Sequence, residues 1–197
     1  MNKLHIGSGT VYLCDWINID IPSDTTYLAH ERPDLVAKYI STELDYYSRH
    51  KEKSFANFTA GPKLIETVCD RYGTFQNIPA RANSINKILS RQVFEHFDIN
   101  GAIAALKEAH RVLMPGGELT IDVPDLIESI IQYGNTRDNF YIRHITGPKK
   151  KGSWGFHCMS YDKSELINLC ESNGYLFYKD EDNIHSYPAI SLTFLKR

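Results

Sequence analysis

At 197 residues, the chain is long enough for one domain with a substantial buried core. Its composition, 42% hydrophobic and 23% charged residues, is that of an ordinary globular protein, and no apolar run approaches the roughly 20 residues that span a bilayer. The formal net charge of -2 gives no sign of a nucleic-acid partner, and the polar start MNKLHIGSG does not resemble a signal peptide, so we expect a cytoplasmic protein.

Predicted strands and helices alternate along the chain. Short apolar runs predict strands at Lys3–Ile6, Trp16–Ile19, Ile85–Leu89 and, after the break at 115–117, Glu118–Val123. Between the last two strands, apolar residues at helical spacing predict a helix over Asp98–Leu113, with Asp98 near its amino-terminal cap. This strand, helix, strand order indicates a crossover between parallel strands.

The last third of the chain continues the alternation. The residues from Asp162 to Glu165 resemble a capping box and predict a helix that ends at Asn173-Gly174. Two apolar runs after it predict strands at Tyr175–Tyr178 and Ser191–Leu195. Such alternation favours an α/β layered fold with a mainly parallel sheet.

One segment, Ile40–Arg71, lies outside the family resemblance described below. It contains aromatic and basic residues and then an amphipathic turn of helix, predicted through Leu64, Ile65, Val68 and Cys69. We interpret it as an insertion in a single domain that spans residues 1–197. Two roles remain open for it, a substrate-covering surface and a helical decoration of the sheet.

The first predicted strand ends in a glycine-rich turn, and the second ends on an acid. Gly7 and Gly9 would let a ligand approach the backbone, and Asp20 has a carboxylate available for ribose hydroxyls. The dinucleotide pattern GxGxxG is not met, because Tyr12 stands at its last position, and Asp20 comes earlier than that pattern requires. A nicotinamide or flavin site is therefore disfavoured, while a plain tight turn remains the alternative to a cofactor turn.

Four stretches together resemble one family. GSGTVYLCDWINIDI is similar to the GCG–GWINVDI opening of small class I S-adenosylmethionine-dependent methyltransferases of the type 11-like group. NIPARANSINKILSRQVFEHF and AALKEAHRVLMPGGELTIDVPDL resemble the segments around their fourth and fifth strands, and HCMSYDKSELINLCESNGY resembles their late helix. The resemblance implies a Rossmann-like, seven-stranded, mostly parallel sheet with helices on both faces and an antiparallel edge in the last strand pair.

The resemblance also implies S-adenosyl-L-methionine as the cofactor and assigns contacts to it. Gly7, Ser8 and Gly9 would face its methionine half, Asp20 would hold the ribose, Ile21 would lie against the adenine, Phe75 and Gln76 would contact the adenine edge, and Arg91 and Gln92 would line the methionine end. The chain departs from the family at two places. His5 stands where an acid or Asn is usual, and the loop Thr74–Ile78 lacks the usual adenine-binding Asp.

Four side chains are candidates for catalysis. Glu95 and His96 follow the fourth strand of the family pattern, Asp125 follows the fifth, and His157 lies in the late loop GSWGFHCMSY, where Trp154 and Phe156 would exclude water. Each has a structural alternative: Glu95 as a helix-start residue, His96 as a core residue, Asp125 as a helix cap and His157 as a surface residue. No Ser/His/Asp set and no close-spaced metal-ligand set is present in the sequence, so we predict no metal.

We therefore predict methyl transfer from S-adenosylmethionine to a small-molecule or saccharide acceptor. A cofactor-binding protein without catalysis is one alternative, and a nucleotide-sugar-processing enzyme on a related fold is the other. The acceptor prediction depends on the absence of a basic surface signal and of an added recognition domain. The sequence gives no prediction of oligomeric state.

Overall fold

The computed structural model describes residues 2–43, 45–46, 65–147 and 156–197, and a seven-stranded sheet lies at its centre. The strands are β1 (Lys3–Ile6), β2 (Tyr12–Leu13), β3 (Ile17–Asp20), β4 (Thr26–Leu28), β5 (Ile40–Ser41), β6 (Thr67–Cys69), β7 (Arg71–Tyr72), β8 (Ile85–Arg91), β9 (Leu113–Pro124), β10 (Tyr175–Asp180) and β11 (Ala189–Lys196). The helices are α1 (Pro33–Tyr39), α2 (Ile99–Val112), α3 (Leu126–Thr136), α4 (Asn139–Thr146) and α5 (Lys163–Glu171), with a 3₁₀ turn at Phe94–His96.

The main sheet has the strand order β10-β11-β9-β8-β1-β3-β7. Strands β7, β3, β1, β8 and β9 are parallel to one another, whereas β11 runs antiparallel to both β9 and β10. The prediction of a Rossmann-like, seven-stranded, mostly parallel sheet with an antiparallel last pair is confirmed. Short strands β2 and β5 pair separately, as do β4 and β6. No helix among the described residues is long and apolar enough to cross a membrane.

Helix α2 packs against the sheet through one face. Its fully buried residues, Ala102, Ala105, Leu106, Ala109 and Val112, recur at the spacing of an amphipathic helix. They join the core formed by inner-strand residues such as Leu4, Ile88 and Leu119. Asp98 caps the helix by accepting a hydrogen bond from the Gly101 amide at 2.7 Å, as predicted.

The capping box at the start of α5 is also confirmed. The Asp162 carboxylate accepts from the Glu165 amide at 2.9 Å, and the Glu165 carboxylate accepts from the Asp162 amide at 3.3 Å. The helix ends at Glu171, slightly before the predicted end at Asn173-Gly174. Since helix ends fray, a difference of this size is ordinary.

The predicted helical turn around Val68 and Cys69 is wrong. These residues belong to strand β6, which pairs in parallel with β4 through Thr26↔Thr67 and Leu28↔Cys69. Leu64 lies outside the described residues, and Ile65 precedes the strand. The β-branched pair Thr67-Val68 suits a strand, and pairing with a distant segment overrides the short helical periodicity. The end of the predicted insertion therefore belongs to the sheet region.

The connection from β1 to β3 contains no helix. Residues 7–16 hold only strand β2, which pairs with β5, and the Cys14 amide extends this pairing by donating to the Ser41 carbonyl at 3.0 Å. The glycine turn is therefore held by a strand pairing rather than by the amino terminus of a crossover helix.

Candidate active site

Parallel pairing places the ends of several strands at one edge of the sheet. Ile6 at the end of β1 pairs with Ile19 of β3 and with Ser90 of β8, and Arg91 of β8 pairs with Asp122 of β9. In sheets of this kind ligands bind beyond the carboxyl ends of the strands. The predicted site residues that follow β1, β3 and β8 are therefore brought together.

The glycine turn approaches the loop after β8 closely. The amides of Gly7 and Ser8 both donate to the Ile19 carbonyl, at 2.9 and 3.2 Å, and Gly7 has φ +72°. A Cβ atom added to Gly7 would lie 2.3 Å from Cγ2 of Val93. Glycine is therefore required here for two reasons, the left-handed backbone and the close contact with the β8 loop.

This pair of requirements can be separated by mutation. Gly116 has the same φ of +72° but no atom within 4 Å of an added Cβ, so Gly116→Ala tests backbone conformation alone. We expect Gly116→Ala to lower the free energy of unfolding by about 1–2 kcal/mol, and Gly7→Ala to lower it by roughly a further 1–3 kcal/mol because Val93 must move. Urea denaturation measures both values, and equal losses would contradict the contact.

Asp20 anchors the second half of the turn. Its Oδ2 atom accepts from the Gly9 amide at 2.7 Å and its Oδ1 atom accepts from the Ile21 amide at 2.8 Å. Burial raises the pKa of the carboxyl above its ordinary value, while the two backbone amides oppose that change. Each oxygen of an ionised carboxylate has a further lone pair, so Asp20 can still accept hydrogen bonds from two ribose hydroxyls.

His5, on β1 just before the turn, belongs to a buried hydrogen-bonded network. The buried imidazole donates from Nδ1 to Asn18 Oδ1 at 3.0 Å and accepts at Nε2 from the Tyr46 hydroxyl at 2.6 Å. Burial lowers its pKa to about 4, so the ring is neutral. Asn18 Oδ1 also accepts from the Leu13 amide at 2.9 Å. His5 stands where the family usually has an acid or Asn, and both of its ring nitrogens have hydrogen-bond partners.

Phe75 and Gln76, the predicted adenine contacts, lie in different environments. The Phe75 side chain is 2% exposed and packs edge-to-face on Phe94 and Phe97, with centroids 6.1 and 6.3 Å away. Gln76 is exposed, and its side-chain amide donates to the Gly101 carbonyl at 3.3 Å. Any contact of Phe75 with adenine would therefore come from its backbone, and both assignments stay predictions.

A group of buried polar side chains surrounds Asp122 of β9, beside the end of β8. Gln92, with φ +55°, donates from its backbone to the Asp122 carbonyl at 2.8 Å and from its side chain to Asp122 Oδ1 at 2.9 Å. Nε2 of His185 lies 2.7 Å from the same Oδ1 atom, and Arg91 Nη1 lies 3.9 Å from Oδ2. Sequence reasoning missed Asp122 and His185. The charged Asp122 inside the apolar run LTIDVP was a usable signal, whereas His185 had none.

Glu95, His96 and His157 form the second group, here called the Glu95 cluster. The Glu95 carboxyl is 1% exposed, and burial raises its pKa to about 8. His157 Nε2 lies 3.9 Å from Glu95 Oε1, and the rings of His96 and His157 meet edge-to-face at 4.9 Å. Burial, followed by the neighbouring His96, lowers the pKa of His157 to about 4. Three of the four predicted catalytic side chains therefore lie together.

Backbone hydrogen bonds fix this arrangement. The amides of Cys158 and Met159 both donate to the Glu95 carbonyl, at 2.8 and 3.1 Å, and His96 Nδ1 donates to the Phe156 carbonyl at 3.0 Å. His157 is thus held against the 3₁₀ turn after β8. The predicted loop residues Gly152, Trp154 and Gly155 lie outside the described residues, and the side chain of Phe156 is exposed.

Asp125, the fourth predicted catalytic side chain, is a helix cap. Its Oδ1 atom accepts from the Glu128 amide at 3.0 Å at the start of α3. This is the structural alternative that the sequence left open. A catalytic role for Asp125 stays a prediction, with one carboxylate oxygen already engaged.

Most of the amino-terminal part of the chain matches a known protein family in sequence. A sequence model described as a methyltransferase domain matches residues 4–121, which is more than half of the chain. No curated protein matches the chain in sequence.

Solved structures of similar fold are numerous. A S-adenosylmethionine-dependent methyltransferase from Methanosarcina mazei is 14% identical, with a TM-score of 0.58 over 99% of this chain and 92% of that chain. The 1,6-didemethyltoxoflavin-N1-methyltransferase of Burkholderia thailandensis, solved with bound 1,6-didemethyltoxoflavin and S-adenosylhomocysteine, is 11% identical, with a TM-score of 0.54 over 98% of this chain and 70% of that chain. At these identities the similarity establishes the fold.

Proposed function

Because the chain belongs to the methyltransferase domain family, and is thereby an S-adenosylmethionine-dependent methyltransferase, we propose that it methylates a small polar molecule or saccharide. The main support for this proposal is that the Gly7–Asp20 turn lies close to the segment that carries the Glu95 cluster. Gly7 approaches Val93 so closely that a Cβ atom on Gly7 would meet its side chain, and the 3₁₀ turn that carries Glu95 and His96 begins at the next residue. A cofactor half-site and an acid–base group therefore share one edge of the sheet.

The residues of the turn fit the cofactor. A Cβ atom on Gly9 would meet only the Gly7 carbonyl oxygen, at 3.9 Å, so the backbone of the turn is open at Gly9. Asp20 keeps lone pairs for the ribose hydroxyls while accepting from the Gly9 amide at 2.7 Å. Arg91 and Gln92 at the end of β8 would line the methionine end. When bound, S-adenosylmethionine supplies an electrophilic methyl group on a sulfonium centre.

A polar acceptor is supported by buried polar atoms near the strand ends. Within the described part of the chain, Ser90 Oγ, Nε of Arg91, the Glu95 carboxylate, the Tyr161 hydroxyl and Ser191 Oγ are buried without a hydrogen-bond partner. Leaving such groups unsatisfied costs about 1–3 kcal/mol each. An acceptor with several hydroxyl groups would supply the missing donors and acceptors, whereas an apolar acceptor would not.

The Glu95 cluster would remove the acceptor's proton. Methyl transfer is a direct displacement, so the protein mainly holds the attacking oxygen or nitrogen in line and accepts the proton that it releases. His157 is neutral because burial lowers its pKa to about 4, and it therefore has a free lone pair. Glu95 lies 3.9 Å from Nε2 of His157, and because burial raises its pKa to about 8, it becomes the carboxylate that stabilises the imidazolium only as the pH rises towards that value.

Production of S-adenosylhomocysteine tests this proposal. The protein is incubated with S-adenosylmethionine and fractionated polar metabolites, and product is measured by mass spectrometry, with Asp20→Ala as the matched control. We expect at least one fraction to release S-adenosylhomocysteine with wild-type protein only. If the protein binds S-adenosylmethionine tightly but no fraction yields S-adenosylhomocysteine, the result would instead support the non-catalytic alternative. Activity confined to an apolar metabolite fraction would contradict the acceptor class.

A further inference from the structure

We propose that Glu95, His96 and His157 bind one divalent transition-metal ion. One ligand atom from each of the three residues lies within 4.8 Å of the other two. A tetrahedral ion with bonds of about 2.1 Å holds its ligand atoms roughly 3.4 Å apart. The observed 3.9 Å between His157 Nε2 and Glu95 Oε1 therefore needs to close by only a small amount around an ion.

The second observation is the condition of the Glu95 carboxylate. The side chain is 1% exposed, and neither of its oxygens has a hydrogen-bond partner among the described residues. Ionising a buried carboxyl group that has no partner is costly, and buried charges in proteins are normally paired or bound to a metal. A cation between the carboxylate and the two imidazoles would provide the missing partner.

The hydrogen bond of His96 leaves its ring ready to bind an ion. Because Nδ1 donates to the Phe156 carbonyl at 3.0 Å, the lone pair of the neutral ring is at Nε2. Histidine ligands of metals usually donate their other ring nitrogen to a carbonyl or carboxylate in this way, which fixes the ring orientation. The amides of Cys158 and Met159 fix the neighbouring His157 segment through the Glu95 carbonyl.

The ligand set indicates the kind of ion. Two imidazoles and one carboxylate suit Zn²⁺, Co²⁺ or Fe²⁺, whereas Mg²⁺ and Ca²⁺ prefer oxygen ligands alone. Three protein ligands leave at least one coordination position open, as in catalytic rather than structural zinc sites. The inference concerns the ion and does not depend on the proposed reaction. An ion on His157 Nε2 would, however, exclude a proton from the same atom.

Titration of the metal-free protein with Zn²⁺ and Co²⁺ tests the inference. After treatment with a chelator and its removal, calorimetry should give one Zn²⁺ per chain, and Co²⁺ should give the visible absorption of a low-symmetry site. We expect His157→Ala and Glu95→Gln each to weaken Zn²⁺ binding by at least about tenfold. His30→Ala removes an exposed histidine outside the cluster and should change nothing.

Three outcomes would overturn the inference: no binding by wild-type protein, undiminished binding in both cluster variants, or an equal loss in His30→Ala. Retained affinity for S-adenosylmethionine shows that a variant is folded, and the half-buried His96→Ala replaces Glu95→Gln if the latter fails this control. Zn²⁺ binding and S-adenosylhomocysteine production are separate readouts. Failure of the metal site is therefore distinguishable from failure of the proposed function.

Discussion

Replacing His157 with alanine is expected to reduce turnover by about 10²-fold or more, while affinity for S-adenosylmethionine stays within a few-fold. The imidazole is neutral and lies 3.9 Å from the Glu95 carboxyl, whereas the Gly7–Asp20 turn, where we propose that the cofactor binds, is formed by other residues. Loss of a proton acceptor slows the chemical step without removing a cofactor contact. Initial rates with an identified acceptor and calorimetry with S-adenosylmethionine measure the two effects.

Two controls make this result interpretable. Rates are measured with and without a chelator, because a metal ion on the Glu95 cluster would also be lost in His157→Ala. If the chelator alone abolishes wild-type turnover, the ion activates the acceptor and His157 acts as its ligand. If turnover survives in His157→Ala while only the melting temperature falls, His157 is a packing residue and the search moves to Glu95, His96 and Asp125.

Asp20→Ala is expected to weaken S-adenosylmethionine binding by roughly 10- to 100-fold. Hydrogen bonds to a charged group contribute about 1.5–3 kcal/mol, and each 1.4 kcal/mol is about tenfold in affinity. The change also removes the hydrogen bond that the Gly9 amide donates to Asp20 Oδ2 at 2.7 Å. Calorimetric titration of the folded variant measures the affinity. An unchanged dissociation constant would contradict the ribose assignment.

Asp20→Asn is the matched variant, because it keeps the size of the side chain and removes the charge. Its effect on stability should depend on pH differently from its effect on cofactor binding. Burial raises the pKa of Asp20 in the folded protein. Its contribution to stability is therefore fully present below the ordinary pKa of a free Asp and is lost as the pH rises through the folded value. The neutral amide avoids burying a charge, but it can accept from only one of the Gly9 and Ile21 amides and turns an NH₂ group toward the other. We therefore expect a lower melting temperature than wild type at acidic pH, a smaller loss at neutral pH and a lower cofactor affinity. A loss of melting temperature that does not change with pH would contradict the raised pKa.

Local signals in the sequence predicted the elements that depend on near neighbours. Asp98 and Asp162 cap α2 and α5 because each accepts from an amide three residues later, so the whole interaction is contained in a short stretch. Strands β4 and β6 were missed for the opposite reason. Each has three residues, and their pairing joins segments about forty residues apart, which no local pattern reveals.

The candidate site divides in the same way. The turn at Gly7 and Asp20 was found because a glycine pattern and a strand-ending acid carry their chemistry in one short segment. Asp122 and His185 were missed because His185 reaches the carboxylate from a distant loop. Glu95 and His157 were named individually, but their proximity depends on the amides of Cys158 and Met159 docking on the Glu95 carbonyl. Only the fold brings such groups together.

The pairing of β2 with β5 makes the glycine turn part of a larger unfolding unit. Tyr12 pairs with Ile40, and the Cys14 amide donates a hydrogen bond to the Ser41 carbonyl at 3.0 Å. A ligand that binds only the folded turn shifts the local opening equilibrium of this pairing by mass action. Hydrogen–deuterium exchange at the Cys14 amide should therefore slow as S-adenosylmethionine saturates the protein. An amide that touches no ligand would report cofactor occupancy, and would do so before any acceptor is known.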